Sequence, residues 1–163
     1  MAAKIIITME HEKHRQLLGD CLENVGHDVT KVETFHDAME FLRSADFDVI
    51  VSDVHLQNGG TVFDFLRWVK GDPHIRSIPF VCFSAEPSEI GKYLADGVRT
   101  AARALGAARY ITMENFDTRL FQQEIEWLIP QERAGSYYLV NRGDGEDGHV
   151  LKTPGNGRDK LKD

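Results

Sequence analysis

Short apolar runs alternate with segments of helical periodicity through the first 130 residues. The clearest runs are Ile5–Ile7, Val49–Val51 and Phe80–Phe83. A run that is apolar at every position, rather than at every second one, is typical of a strand buried on both faces of a parallel sheet. Val29–Val32 and Arg109–Thr112 complete a predicted set of five strands.

The segments between these strands have apolar residues at helical spacing. Helix starts are predicted at Thr34, which precedes Asp37 in the manner of a capping box, at Pro87 and at Asn115. Gly26 is a plausible stop for the first helix. The residues predicted to face inward from the first, second, third and fifth helices are Leu17, Leu18, Cys21, Leu22 and Val25; Phe35, Ala38, Met39, Phe41 and Leu42; Val62, Phe65, Leu66 and Val69; and Leu120, Phe121, Ile125 and Leu128.

Five strands alternating with five helices predict an α/β fold. We expect a five-stranded parallel sheet, doubly wound by helices with right-handed crossovers, in the flavodoxin-like manner. This domain spans residues 1–130. Residues 131–163 hold six of the fourteen glycines and are expected to form a largely flexible C-terminal tail. Within them, Tyr137–Val140 is predicted either to add a strand or dock on the domain, or to be a sticky patch in a disordered tail.

Composition excludes several classes of protein. The 163 residues carry a net charge of −7, and because residues 131–163 are neutral, the acidic excess lies in residues 1–130. An acidic domain with no basic cluster argues against binding to nucleic acid. No apolar run approaches the roughly 20 residues that span a membrane, and the N-terminus is not a signal peptide, so we expect a cytoplasmic protein. Cys21 and Cys82 lack metal-ligand spacing and are interpreted as reduced core thiols.

Asp53 ends the third predicted strand, where open α/β sheets place their ligands. One interpretation is that it only caps the strand or the next helix. The other is chemical, because the ends of neighbouring strands would bring Glu10, Ser84 and the segment around Met113 to the same edge. Two carboxylates suit Mg²⁺, and a carboxylate beside Mg²⁺ can act as a nucleophile toward phosphorus. The Ser84 hydroxyl could then hydrogen-bond the phosphoryl oxygens.

Four segments in order resemble a response-regulator receiver domain of two-component signalling, over residues 4–129. Ile5–Glu12 resembles the first strand and acidic loop of that family. Val49–Asp53, followed by a loop that ends in two glycines, resembles the phospho-acceptor strand. Phe83–Ala85 resembles the Ser/Thr-Ala end of the fourth strand. Gly106–Thr112 resembles the run that leads through the fifth strand.

The resemblance implies a role for each matching residue. Asp53 would be the phospho-acceptor, and Glu10 the acidic ligand of Mg²⁺. His55, two residues after the acceptor, would lend its backbone carbonyl to the metal. Ser84 would follow phosphorylation with its hydroxyl, and the side-chain rotamer of Tyr110 would report it.

The chain also departs from the family pattern. Met9 stands where the first of two loop acids is usual, and Met113 and Glu114 stand where a lysine and a proline usually follow the fifth strand. A lost charge-assisted contact is typically worth about 1.5–3 kcal/mol, which would weaken phosphorylation without necessarily abolishing it. The 20 residues between Ala85 and Gly106 also predict a longer or displaced fourth helix.

Two functions follow from this balance. The first is a stand-alone receiver in a phosphorelay, in which a histidine kinase or phosphotransfer protein donates to Asp53. Such a phosphoprotein signals by binding a downstream protein target and is not a turnover enzyme. The alternative is a pseudo-receiver, a docking module that works without phosphorylation. Neither function requires nucleic acid or a membrane. The protein could form a homodimer in either case.

Two weaker features have two interpretations each. His11, His14 and His55 could form a transition-metal site, although histidines in loops and first helical turns are common surface residues. Trp68 and Trp127 flank apolar helical stripes, which predicts positions at the edge of the core, with a partner surface as the alternative.

Overall fold

A computed structural model describes residues 2–56, 60–85 and 89–130, with only the backbone of residues 89–95. Its strands are β1 (Lys4–Thr8), β2 (Asp28–Val32), β3 (Val49–Asp53), β4 (His55–Leu56), β5 (Gly60–Thr61), β6 (Phe80–Ala85) and β7 (Arg109–Met113). Its helices are α1 (Glu12–Glu23), α2 (Phe35–Ser44), α3 (Val62–Gly71), α4 (Glu89–Ala104) and α5 (Thr118–Glu126). The predicted alternation of strands and helices is confirmed.

Five of the strands form one parallel sheet in the order β2-β1-β3-β6-β7. Crossovers carry the chain to either side of β1, so helices cover both faces. Ile5–Ile7 and Val49–Val51 lie in two of the three inner strands and are fully buried, which explains why these runs lack polar residues. The segment after Asp53 was predicted as a loop, but it contains the short antiparallel pair β4-β5.

The core is split into two clusters by the sheet. Under α2, α3 and α4, the ring of Phe65 lies 5.1 Å from that of Phe35 and 5.4 Å from that of Phe80. Under α1 and α5, the ring of Phe83 lies 5.5 Å from that of Phe121. Successive residues along a strand therefore pack into opposite clusters.

The structure confirms one predicted helix cap and corrects another. The Thr34 hydroxyl accepts a hydrogen bond from the Asp37 amide at 3.1 Å, as the capping pattern predicts. The prediction that Asn115 caps the last helix is wrong, because α5 begins after Asp117, whose carboxylate accepts a hydrogen bond from the Leu120 amide at 3.0 Å. Phe116, just before the helix, packs against the core with its ring 5.5 Å from that of Phe121, which accounts for the later helix start.

Several residues predicted to face inward are instead exposed. Leu17, Phe41 and Leu120 are 40%, 43% and 45% exposed, because only a narrow stripe of each helix meets the sheet. Trp127 is 80% exposed, so its predicted position at the core edge is wrong. Trp68 does pack at the core edge, beside Phe65.

The remaining predictions about the fold have mixed outcomes. Cys21 and Cys82 are buried free thiols, and burial raises the pKa of Cys82 to about 12. With 16 residues, α4 is the longest of the described helices, as the spacing from Ala85 to Gly106 predicts. None of the described helices is long and apolar enough to cross a membrane. Pro87 and the predicted tail, with Tyr137–Val140, lie outside the described residues.

Replacing Thr34 tests the cap of α2. Thr34→Ala removes the oxygen that accepts from the Asp37 amide, so we expect the free energy of unfolding to fall by about 1 kcal/mol. Thr34→Ser retains the hydroxyl and should stay close to wild type. Urea unfolding of the three proteins measures the difference, and equal losses in both variants would contradict the cap.

Candidate functional site

The carboxyl ends of β1, β3 and β6 meet at one edge of the sheet. Asp53 is the last residue of β3, Glu10 follows β1 by two residues, and Ser84 is the penultimate residue of β6. The parallel register pairs Thr8 with Ser52 and Asp53 with Phe83. The fold therefore delivers these predicted site residues to the same edge.

Asp53 is held by two backbone amides. Its Oδ1 accepts from the Val54 amide at 2.9 Å, and its Oδ2 accepts from the Glu10 amide at 3.3 Å. The first bond is local and fits the simple interpretation of a strand cap. The second joins the acidic loop after β1 to the end of β3, so it sets the position of Glu10 relative to Asp53.

The environment of Asp53 disfavours its charge. Burial is the largest influence and raises the pKa of Asp53 above its ordinary value. The amides of Glu10 and Val54 act in the opposite direction, the Glu10 carboxylate raises the pKa again, and His14 lowers it. The net result is a half-buried carboxylate whose charge is disfavoured, with a second acidic residue nearby. A cation at this edge would relieve that repulsion.

Arg15, in α1, holds the loop that contains Met9 and Glu10. Sequence analysis did not identify this residue. One nitrogen of its guanidinium, Nη1, donates to the Met9 carbonyl at 2.8 Å and to the Glu10 carbonyl at 2.7 Å. Both bonds use backbone acceptors, so they order the loop without neutralising the Glu10 side chain. An arginine in the first turns of a helix after an acidic loop is a weak sequence signal, because most such residues point to solvent.

The two methionine departures lie in the core. Met9 is fully buried and Met113 is nearly so, and both pack in the cluster under α1 and α5. Met9 therefore supplies no ligand to the site. Beside Met113 the surface opens into a cavity of about 250 Å³, between α1 and the ends of β6 and β7. Its lining residues are Lys13, His14, Leu17, Leu18, Phe83, Ala85, Met113, Glu114, Asn115 and Phe116.

The donor set at this edge fits Mg²⁺ better than a transition metal. Glu10 and Asp53 offer two carboxylates, which hard cations accept together with water and a backbone carbonyl. The carbonyl of His55, in β4, stays a prediction for that third ligand. The described residues contain no group of three His, Cys, Asp or Glu that could hold a metal. The rings of His11 and His14 lie 5.6 Å apart, but the structure does not support a three-histidine site with His55.

Tyr110 lies on the next strand, β7, and its ring is half buried. Burial is the main reason that the pKa of Tyr110 is raised, and Cys82 adds to it. Arg99 and a side-chain hydrogen bond with Ser84 act to lower that pKa. Ser84 and Tyr110, which the resemblance couples, therefore lie on adjacent strands and influence each other electrostatically. Arg99, from α4, is the second residue near the site that sequence analysis missed.

Comparison with known proteins agrees with this geometry. The chemotaxis protein CheY of Pseudomonas aeruginosa is 27% identical over 127 residues, covering 77% of this chain and 95% of CheY. The response regulator DivK of Brucella abortus is 24% identical over 85 residues, covering 52% of this chain and 68% of DivK. The structure of CheY4 from Vibrio cholerae superposes with a TM-score of 0.66 at 20% identity, covering 79% of this chain and all of CheY4. No protein-family model matches the chain.

A parallel sheet in the order β2-β1-β3-β6-β7, with acidic residues at its carboxyl edge, defines a doubly wound α/β protein of the flavodoxin-like class. The chain has the fold of response-regulator receiver domains and is similar in sequence to two such proteins. In that resemblance Glu10 and Asp53 match acidic positions, whereas Met9 and Met113 stand where an acid and a lysine are usual. The relatives named above are a chemotaxis protein and a response regulator.

The raised pKa of Asp53 predicts a pH-dependent effect of Asp53→Asn on stability. Just above the ordinary aspartate pKa of about 4, the folded chain binds more protons than the unfolded chain, so wild-type stability falls as pH rises through the folded pKa. Asp53→Asn removes this decline. We therefore expect the free energy of unfolding of Asp53→Asn, relative to that of wild type, to increase as pH rises from about 4 to 7.

Urea unfolding across this pH range measures the difference. Asp46→Asn, which removes the charge of an exposed aspartate, controls for the change in net charge. A constant offset between Asp53→Asn and wild type at every pH would contradict the account of Asp53.

Proposed function

We propose that this chain is a receiver that accepts a phosphoryl group on Asp53 within a phosphorelay and signals by protein–protein interaction. The donor would be a histidine kinase or a phosphotransfer protein, and the product would bind a downstream protein target. We place this exchange in the cytoplasm. The observation that carries the proposal is the Glu10–Asp53 pair: the Glu10 backbone amide donates to the Asp53 carboxylate and brings a second acid to the carboxyl edge of the sheet.

The reaction needs a nucleophile that is both exposed to the donor and fixed in direction. A carboxylate oxygen of Asp53 would attack phosphorus, the bond from phosphorus to the donor's imidazole nitrogen would break, and its electron pair would stay on that nitrogen. The amides of Val54 and Glu10 hold the Asp53 carboxylate for this attack. Ser84, at the end of the adjacent strand, would hydrogen-bond the transferred group.

Glu10, Asp53 and the backbone carbonyl of His55 would hold Mg²⁺. When bound, the ion would neutralise charge on the transferring phosphoryl group. With only two carboxylates in the set, we expect the metal to retain several waters and to bind weakly. Arg15 supports this function indirectly, because it orders the loop that presents Glu10.

The second candidate function is a phosphorylation-independent docking module. It is favoured by the burial of Met9 and Met113, which leaves one loop acid and no lysine at the end of β7. Glu114, exposed beside Met113, adds negative charge near the place where a phosphoryl group would lie. The two candidates differ in a single measurable property, the reactivity of Asp53.

Phosphorylation by a small donor tests the proposed function. With acetyl phosphate and millimolar Mg²⁺, we expect intact-protein mass spectrometry to show the addition of one phosphoryl group. Asp53→Asn should abolish it because the nucleophile is lost, and Glu10→Gln should reduce it because one metal ligand is lost. Asp46→Asn, at an exposed aspartate just before β3, is the matched control and should react like wild type.

The same reaction in excess chelator separates metal-dependent transfer from non-specific acylation. Wild-type protein that gains no mass at any Mg²⁺ concentration would contradict the proposal and favour the docking module. Equal modification of Asp53→Asn would show that another residue is being labelled.

Replacing Met113 with lysine tests how much affinity for a phosphoryl analogue the chain loses by having methionine at this position. Met113→Lys places an ammonium group where the resemblance expects one, and a charge-assisted contact of this kind is worth about 1.5–3 kcal/mol. We expect the affinity for beryllofluoride with Mg²⁺ to rise about ten- to a hundredfold. Met113→Leu, which changes shape but adds no charge, should bind like wild type. A Lys variant no tighter than the Leu variant would show that this position does not reach the bound group.

A further inference from the structure

The guanidinium of Arg99 lies over the ring of Tyr110. Its Cζ is 5.5 Å from the ring centroid, within the range of a cation–π contact. Arg99 belongs to α4, and Tyr110 belongs to β7 at the edge of the sheet. The contact therefore ties a helix to the strand that it covers.

Arg99 makes this contact at a cost. Its Nε is buried and has no hydrogen-bond partner among the described residues. A buried donor without an acceptor loses its hydration and gains nothing in exchange, so native structures rarely keep one without a reason. Attraction to the face of the Tyr110 ring offsets part of that loss, so the ring stabilises the Arg99 guanidinium at this position.

The strand register places residues of β6 beside Tyr110. Cys82 pairs directly with Tyr110, and Ser84 lies two residues further along β6 on the same face. The ring packs with the cluster under α2, α3 and α4, and Ser84 lowers the pKa of its hydroxyl. Arg99 lies over the face of the ring. Each of these contacts is made by a residue other than Asp53.

We propose that Arg99 is a positioning residue that holds Tyr110 against Ser84, whatever the chemical state of Asp53. Arg99 then fixes the position of the Tyr110 side chain within the surface formed by α4 and β7. This inference rests on the proposed function only for its consequence for signalling, since the geometry itself does not need a phosphoryl group. It explains how a receiver without the lysine after β7 can present an ordered output face.

The orientation of the Tyr110 ring tests the proposal directly. Ring-labelled tyrosine gives NMR signals for Tyr93, Tyr110, Tyr137 and Tyr138, and Tyr110→Phe identifies the relevant one. In wild type we expect one sharp Tyr110 signal that beryllofluoride with Mg²⁺ leaves in place. Arg99→Met should shift this signal toward that of a solvent-exposed tyrosine and broaden it. Arg99→Lys, which keeps a positive charge, should recover part of the shift.

An exposed arginine one turn further along α4 supplies the matched control. Arg103→Met should leave the Tyr110 signal where it is in wild type. An unchanged signal in Arg99→Met, or the same shift in Arg103→Met, would overturn the proposal. Thermal unfolding of each variant shows whether the domain is still folded, so that general unfolding is not mistaken for release of the ring.

Beryllofluoride affinity provides the second readout. If Arg99 holds Tyr110 in place in advance, Arg99→Met should bind about three- to tenfold more weakly than Arg103→Met, the range expected for loss of a partly desolvated cation–π contact. Equal affinities would overturn the link between Arg99 and the site. Wild type that does not bind beryllofluoride at all would count against the proposed function, while the ring signals would still decide the role of Arg99.

Discussion

The hydrogen bond from the Glu10 backbone amide to the Asp53 carboxylate, which puts two acidic residues at one edge of the sheet, is the constraint on which this account depends. Like charges repel, and burial makes the charge of Asp53 still less favourable. The chain compensates with backbone: the Glu10 amide donates to Asp53, and Arg15 holds the two carbonyls of the loop. We propose that these contacts keep the two acids together to receive a cation.

The departures around this pair have a common physical consequence. Met9 and Met113 exchange charged positions for apolar burial in the cluster under α1 and α5. The exchange strengthens the core but removes one ligand and one cation from the site. Two helical side chains act on the site electrostatically: His14 lowers the pKa of Asp53, and Arg99 lowers the pKa of Tyr110.

Sequence alone predicts the sheet and its acidic edge, because a residue at the end of a strand is placed by the strand itself. Asp53 and Ser84 could be located in this way. The cap of α5 could not, because it depends on Phe116 reaching a core formed with Phe83 and Phe121. Arg15 and Arg99 were missed for a similar reason. A long side chain on a helix has many reachable partners, and only the tertiary contact selects one.

Binding of Mg²⁺ to this pair of acids is the most direct test of the central claim. In a titration followed by amide NMR, we expect saturable shifts at the amides of Glu10 and Val54, the two that bond Asp53, at lower Mg²⁺ than elsewhere in the domain. Glu10→Gln should raise the Mg²⁺ concentration needed. Shifts that do not saturate, or that are as large at exposed acids such as Asp46, would contradict the claim that Glu10 and Asp53 form a cation site.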